Sequence, residues 1–116
     1  MKITIPIKTV SEANAHTHWR IRAKRAKEQR GLAALLCRAE IGTPPAVPLT
    51  ITITRLAPGT LDSDNLAGSQ KHVRDGIADW LGVDDRSPLI DWRYAQEKAA
   101  RGVYFVRIEI EPGRRP

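Results

Sequence analysis

The chain has 116 residues, of which 41% are hydrophobic and 28% charged, and it carries a net charge of +6. This length suits a single domain, residues 1–116, with one modest core, and the composition excludes a disordered chain. No apolar run approaches the ~20 residues that a membrane helix needs. The single cysteine excludes an intrachain disulfide and is typical of a reducing compartment. We therefore expect a cytoplasmic protein without membrane contact.

The net positive charge of the chain comes from its first half. Residues 1–55 hold ten Lys and Arg against three acidic residues, whereas residues 56–116 hold nine against ten. Such an asymmetry indicates a polyanion as partner, although ribosomal, chromatin and merely soluble basic proteins share it.

Three elements are predicted in the first half of the chain. An isoleucine at every second position of 2–8 predicts a strand with one buried face. The segment 17–40 has the apolar spacing of a helix, and Gly31 marks the place for a bend or a break. The alternation of Leu or Ile with Thr over 49–54 predicts a second strand.

The second half predicts one helix and two strands. The helix runs over 66–81 and ends at Gly82, which suits the left-handed position after a helix. The strands 90–98 and 103–111 are joined around Gly102 and are predicted to form a hairpin. This order indicates a small α+β domain in which helices pack on one face of a mixed β-sheet.

A dense basic cluster occupies the first half of the predicted helix 17–40. A solvated helix face is the plain interpretation, and a surface that follows a phosphate backbone is the one we favour. The predicted DNA-binding residues are Arg20, Arg22, Lys24, Arg25, Lys27 and Arg30.

Four carboxylates form the second constellation, at Asp62, Asp64, Asp84 and Asp85. Like charges gathered in this way repel unless a cation lies among them, and their hard oxygens suit Mg²⁺ or Mn²⁺. In extended backbone, side chains two residues apart point the same way, so Asp62 and Asp64 are expected to reach one ion. Asn65 is expected to cap the following helix or to bind a ligand.

Solvated loops are the alternative to a metal site, and these residues alone do not decide between the two. A helix over 66–81 places its ends ~24 Å apart. Either the loop after Gly82 folds back along the helix, or a neighbouring subunit completes the site. Lys71 and Asp75 form an i, i+4 pair, read either as a surface ion pair or as a lysine that stabilises charge on a phosphate.

The ordered combination of these motifs resembles the RusA family of Holliday-junction resolvases, which are bacterial and prophage endonucleases. The motifs are Asp62-x-Asp64-Asn65, Lys71-x-x-x-Asp75, Trp80-Leu81-Gly82-Val83 and Asp84-Asp85. They lie within residues 62–90, about a quarter of the chain. The order of motifs is much more specific than any one of them.

The resemblance implies a RusA-like homodimer that uses Mg²⁺, with Mn²⁺ as a substitute, to cut four-way DNA junctions in recombination and repair. It implies that Asp62, Asp64 and the Asp84-Asp85 pair bind the metal, with Asp85 the more essential of that pair. It also implies that Lys71 is catalytic.

One departure from the family concerns this lysine. In the family the lysine usually follows the asparagine by three residues, where this chain has Gly68. Lys71 lies six residues beyond Asn65 but keeps its four-residue spacing to Asp75. An extra helical turn or a three-residue loop would restore the match.

We therefore expect a magnesium-dependent, structure-selective DNA endonuclease. The alternatives from other classes are a nucleic-acid-binding module with a degenerate metal site and a metal-dependent RNase.

Overall fold

The described part of the chain forms seven helices and strands around a four-stranded sheet. The structure is a computed structural model, and it describes residues 1–10 and 18–113. The elements are β1 Lys2–Ile5, α1 Trp19–Glu40, β2 Leu49–Ala57, α2 Ser63–Ser69, α3 Lys71–Leu81, β3 Ile90–Lys98 and β4 Phe105–Pro112. The sheet has the order β1-β4-β2-β3, in which β2 and β3 are parallel and the other pairs antiparallel. The predicted α+β class with a mixed sheet is confirmed.

The core lies between one face of this sheet and the helices. Alternate residues of β1, β2 and β4, among them Ile5, Ile53 and Ile108, are buried with α3 residues such as Ile77. The opposite face carries the threonines of β2 and charged residues of β3 and β4. There Arg107 donates two hydrogen bonds to the Glu97 carboxylate, at 2.7 and 3.0 Å. The two-residue period of the strands therefore separates a core face from a polar face.

The sheet order shows that the predicted hairpin is wrong. The strands β3 and β4 exist near the predicted bounds, but β2 lies between them. Gly102 does form a turn, with φ +81, and the Val103 N–H donates to the Ala100 carbonyl at 3.0 Å. The connection that contains this turn carries the chain past β2 instead of folding β4 back onto β3.

The helices also differ from their predictions. Helix α1 continues through Gly31 without a break. The helix predicted over 66–81 is two helices, because the backbone leaves helical geometry at Gln70, with φ −98 and ψ 0. Helices α2 and α3 together form the crossover between the parallel strands β2 and β3. No helix within the described residues is long and apolar enough to cross a bilayer.

Close packing of α1 against α3 depends on Gly76. A Cβ built at this glycine would overlap the backbone carbonyl of Arg30 and lie 2.8 Å from the Cβ of Ala33. Ala33 and Gly76 thus let the two helix backbones approach each other. Cys37 is fully buried one turn after Ala33, and burial raises the pKa of its thiol to about 12.

We expect Gly76→Ala to destabilise the protein by up to about 2 kcal/mol, because overpacking of about 1–3 kcal/mol offsets the helix-propensity gain of about 1 kcal/mol. The matched control is Gly31→Ala, since nothing lies within 4 Å of a Cβ at that position. It should stabilise the protein by about 0.5–1 kcal/mol. Urea unfolding of both variants measures the difference, and equal effects would contradict the close contact.

Candidate functional site

Asp62 caps helix α2 and is held by Asn65. Its Oδ1 accepts the Asn65 backbone N–H and its Oδ2 accepts the Asn65 side-chain amide, both at 2.9 Å. These bonds satisfy a helix N–H that would otherwise lack a partner. The cap is therefore Asp62, and the prediction that Asn65 caps the helix is wrong.

The extended geometry predicted for the first aspartate pair is also wrong. Asp62 has extended backbone angles, but Ser63 and Asp64 already belong to α2. Two positions apart along a helix, side chains point in well-separated directions. The Asp64 side chain is exposed, and it makes no hydrogen bond or ion pair within residues 1–10 and 18–113. Its carboxylate is thus free to meet a ligand from solvent, but not as one half of a parallel pair with Asp62.

The loop after α3 folds back along that helix. Gly82 adopts the left-handed conformation, with φ +72, and its N–H donates to the Ala78 carbonyl at 2.9 Å. The chain then returns to Arg74, whose Nη2 donates to the Asp85 carbonyl at 2.6 Å. The loop therefore folds back along α3, but it does not gather Asp84 and Asp85 with Asp62 and Asp64 into one group, so the route through a neighbouring subunit stays open.

Asp84 and Asp85 occupy different environments in this loop. The Asp84 carboxylate accepts the Arg86 N–H at 2.8 Å. This bond, together with the neighbouring Asp85 side chain, holds the pKa of Asp84 below its usual value. Asp85 is partly buried, and its Oδ2 lies 3.7 Å from the Arg74 Nε.

The two aspartate pairs are attached to strand β3 at separate points. The Leu61 backbone next to Asp62 exchanges two hydrogen bonds with the Gln96 side chain, at 2.7 and 2.9 Å. The Asp85 carbonyl accepts the Trp92 indole N–H at 3.0 Å. Four residues along a strand span ~13 Å. Consistent with this separation, no three His, Cys, Asp or Glu side chains among the described residues are grouped closely enough to hold a metal.

A cleft between α1 and α3 brings other predicted residues together, and we call it the α1–α3 cleft. One part, about 410 Å³, is lined by Ala26, Lys27, Arg30, Lys71, His72 and Asp75. The adjoining part, about 260 Å³, is lined by Arg30, Asp75, Ala78, Asp79, Val83, Asp84 and Asp85. Since Arg30 and Asp75 belong to both parts, the cleft runs from Lys71 to the folded-back loop. Lys71 and Asp75 share its wall but do not form an ion pair with each other.

Arg30 extends across the cleft and forms a bidentate ion pair with Asp79. Its Nε and Nη2 donate to the two Asp79 carboxylate oxygens at 2.6 and 2.8 Å. The hydrogen bonds from Arg30 hold the pKa of Asp79 below its usual value, and those to Asp79 raise the pKa of Arg30. Arg30 is therefore occupied by a carboxylate, and it is the member of the predicted DNA-binding set least available to a phosphate.

The other predicted DNA-binding residues of α1 divide into two groups. Arg20, Lys24 and Lys27 recur at helical spacing on the side opposite the buried Ala33 and Cys37, and all three are exposed. We call these three residues the basic stripe. Arg22 and Arg25 lie off this line. Because Lys27 also lines the α1–α3 cleft, the basic stripe leads directly into it.

Sequence reasoning missed three residues of the site. Arg74 donates to the Asp85 carbonyl and to the Tyr94 hydroxyl, and its guanidinium lies 4.9 Å from the Trp92 ring centre. The alternation of Trp92 and Tyr94 along β3 marks them as sharing a face. No sequence spacing links that face to Arg74 or to the loop, so only the fold reveals the contact.

Comparison with known proteins adds one relative. No protein-family profile matches the chain. A protein of Xylella fastidiosa (strain Temecula1), described as uncharacterized, is 38% identical over 88 residues. The match covers 67% of this chain, and the chain spans 58% of that protein's length. The likeness indicates that most of this chain has a relative within a longer protein, and the relative's description names no activity.

The Arg30–Asp79 pair should make stability depend on pH. Because the pKa of Asp79 lies below its ordinary value of 3.8, its contribution is present above that value and is lost as the pH falls through the lowered value. The pair is about half exposed, so the contribution is at most about 1 kcal/mol. Urea unfolding should show Asp79→Asn less stable than the wild type at neutral pH, with the gap closing in acid. A gap that is independent of pH would contradict this assignment.

Proposed function

We propose that the protein is a magnesium-dependent endonuclease that cuts branched DNA, with four-way junctions as its substrate. The observation that carries the proposal is the α1–α3 cleft, which joins the basic stripe to Lys71 and then to Asp84 and Asp85. A phosphodiester backbone that follows the stripe enters at Lys27 and meets carboxylates at the far end. The likeness of residues 62–90 to RusA resolvases supplies the reaction class.

The donor chemistry of the candidate site fits a hard divalent cation. The oxygens of Asp64, Asp84 and Asp85 are the ligands that Mg²⁺ prefers, and Asp62 retains lone pairs beyond its two bonds to Asn65. Mg²⁺ bound by these aspartates would supply an activated water and would stabilise charge on the phosphate. Since one chain gathers no three of these carboxylates, we propose that the set closes when DNA or a second subunit binds.

The other residues of the cleft act on the DNA. Lys71, at the first turn of α3, would hold a phosphate oxygen by charge. Asp75 is the next carboxylate along the cleft wall and keeps the lysine end from being uniformly positive. The basic stripe would provide contacts that are independent of sequence.

Two opposed cuts in a junction require two sites related by a two-fold axis, so we propose a homodimer. Strand β4 is flanked by β1 and β2, so it offers no free edge for pairing with a second copy. On helix α1, the apolar residues Leu32 and Leu36 pack against the core of their own chain, so they are not the contact that we propose between subunits. The outer strand edges of β1 and β3 remain for such a contact.

A nucleic-acid-binding module with a degenerate metal site is the second candidate. The absence of three grouped carboxylates among residues 1–10 and 18–113 favours it. The module would bind junctions through the basic stripe and cut nothing. A metal-dependent RNase would use the same cleft and would differ in its substrate.

We expect the wild type to cut four-way junctions in Mg²⁺ or Mn²⁺ and not in EDTA. Asp64→Asn and Asp85→Asn should each lower the cleavage rate by about 100-fold or more, because loss of a carboxylate weakens a hard-ion site. Junction binding should survive in both variants, since removal of a negative charge reduces repulsion of phosphate. Gel-based cleavage and binding assays with junction, duplex and RNA substrates measure these effects.

The matched control is Asp91→Asn, because Asp91 is exposed on strand β3 and pairs with Arg93 at 3.0 Å. It should cut at the wild-type rate. Full activity of the Asp64 and Asp85 variants would overturn the metal site. Tight junction binding without cleavage would favour the binding module, and cleavage of RNA alone would favour the RNase.

The basic stripe should determine how DNA binding depends on salt. Replacing Arg20, Lys24 and Lys27 together by Ala should lower the slope of log K against log salt by up to about 2.7, since each phosphate contact contributes about 0.9. Binding should weaken on junction and duplex alike. Arg93→Ala, on the other face of the sheet, should leave the slope unchanged. An unchanged slope in the triple variant would show that the stripe is only solvated.

A further inference from the structure

Arg74 joins three elements at the folded-back loop. It lies on α3, and its Nη2 donates to the Asp85 carbonyl at 2.6 Å. Its Nη1 donates to the Tyr94 hydroxyl of β3 at 2.8 Å. The Trp92 ring lies beneath the guanidinium at 4.9 Å. One planar group therefore fixes the distance between α3, β3 and the loop.

The Asp85 carbonyl is the point at which the loop is held. It accepts a second hydrogen bond, from the Trp92 indole N–H at 3.0 Å. The loop's own backbone bonds, from Ser87 to Asp84 and from Ile90 to Ser87, give it local shape only. Hydrogen bonds to Ala78 and from Leu49 hold the two ends of the loop, and between these ends Arg74 and Trp92 attach it to α3 and β3.

Arg74 makes its hydrogen bond to the Asp85 backbone and only a longer ion-pair contact to the Asp85 carboxylate. The Arg74 Nε lies 3.7 Å from the Asp85 Oδ2, which is too long for a hydrogen bond, and this buried Nε has no hydrogen-bond partner. No nitrogen donor in the described ranges bonds to the Asp85 carboxylate. Asp85 is thus fixed by hydrogen bonds at its main chain, while its carboxylate has the ion-pair contact with Arg74 and lies beside the Asp84 side chain.

We propose that Arg74 is the positioning residue of the site, holding Asp85 by its main chain so that the carboxylate faces a ligand in the α1–α3 cleft. The catalytic meaning of this role rests on the proposed function. The positive charge of Arg74 alone would repel a metal ion, so its contribution is the forked geometry. Lysine keeps the charge and lacks the fork, which makes Arg74→Lys the variant that separates the two effects.

The test compares wild type, Arg74→Lys and Tyr94→Phe, with Arg93→Lys as the control on the other face of the sheet. Hydrogen–deuterium exchange of the backbone amides of residues 82–89 reports whether the loop is held in place. Exchange of the amides of β1 and β4 reports whether the fold is intact. In Arg74→Lys the loop amides should exchange about tenfold faster, as expected for the loss of about one charged hydrogen bond. The exchange of the strand amides should be unchanged. Tyr94→Phe should show a smaller increase, and Arg93→Lys none.

Measurements of Mn²⁺ affinity and of steady-state cleavage show how the substitution of Arg74 affects the site. Arg74→Lys should bind Mn²⁺ about tenfold more weakly and lose kcat while the KM for junction DNA stays unchanged. Wild-type exchange in the loop of Arg74→Lys would overturn the role of Arg74, whatever the activity. If the wild type neither binds Mn²⁺ nor cuts DNA, the proposed function fails, and exchange still decides whether Arg74 positions the loop. Faster exchange with wild-type Mn²⁺ affinity and kcat would overturn the positioning role.

Discussion

The close approach of α1 and α3 at Gly76 is the constraint on which the rest of the site depends. A side chain at this position would meet the Arg30 backbone and Ala33, so the helices come together only because none is present. That approach sets Arg30 opposite Asp79 and fixes the width of the α1–α3 cleft. The basic stripe on one helix and the carboxylates that follow the other therefore open into a single space.

Two arginines, Arg30 and Arg74, neutralise part of the negative charge of the α1–α3 cleft. Four carboxylates line it or its end, and such a group repels itself unless positive charge lies among them. Arg30 pairs with Asp79 across the cleft, and Arg74 lies beside Asp85. Asp75 and Asp84 are left without an arginine from the opposite wall. The arginines therefore neutralise part of the negative charge of the cleft, as the proposed binding of a phosphate backbone requires.

The sequence predicted the elements of the fold better than their arrangement. Two-residue alternation identifies a strand and its buried face, and strands were predicted near the bounds of β1, β2, β3 and β4. The alternation does not show which strands are adjacent in the sheet. The turn at Gly102 therefore suggested a hairpin of β3 and β4, whereas β2 lies between these strands. The break at Gln70 was hidden because the apolar spacing continues through it. Helix α1 ran through Gly31 because packing by its flanking turns outweighs one residue's weak propensity.

For the candidate site, the sequence indicated which types of residue are present, but it did not predict which of them lie close together. The spacing of Asp62 and Asp64 suggested one extended pair, whereas capping of α2 by Asp62 turns them apart. The return of Asp85 to α3 depends on a hydrogen bond between Arg74 and a loop carbonyl, which leaves no trace in spacing. Carbonyl acceptors belong to every residue, so contacts of this kind appear only with the fold.

Anomalous diffraction at the manganese edge from a crystal soaked in Mn²⁺ would locate the ion independently of activity. We expect a peak in the α1–α3 cleft with the Asp85 carboxylate as a ligand, joined by Asp64 or Asp62 of the same or a second copy. A well-ordered crystal with no peak at Asp85, or with manganese bound only at unrelated surface carboxylates, would contradict it.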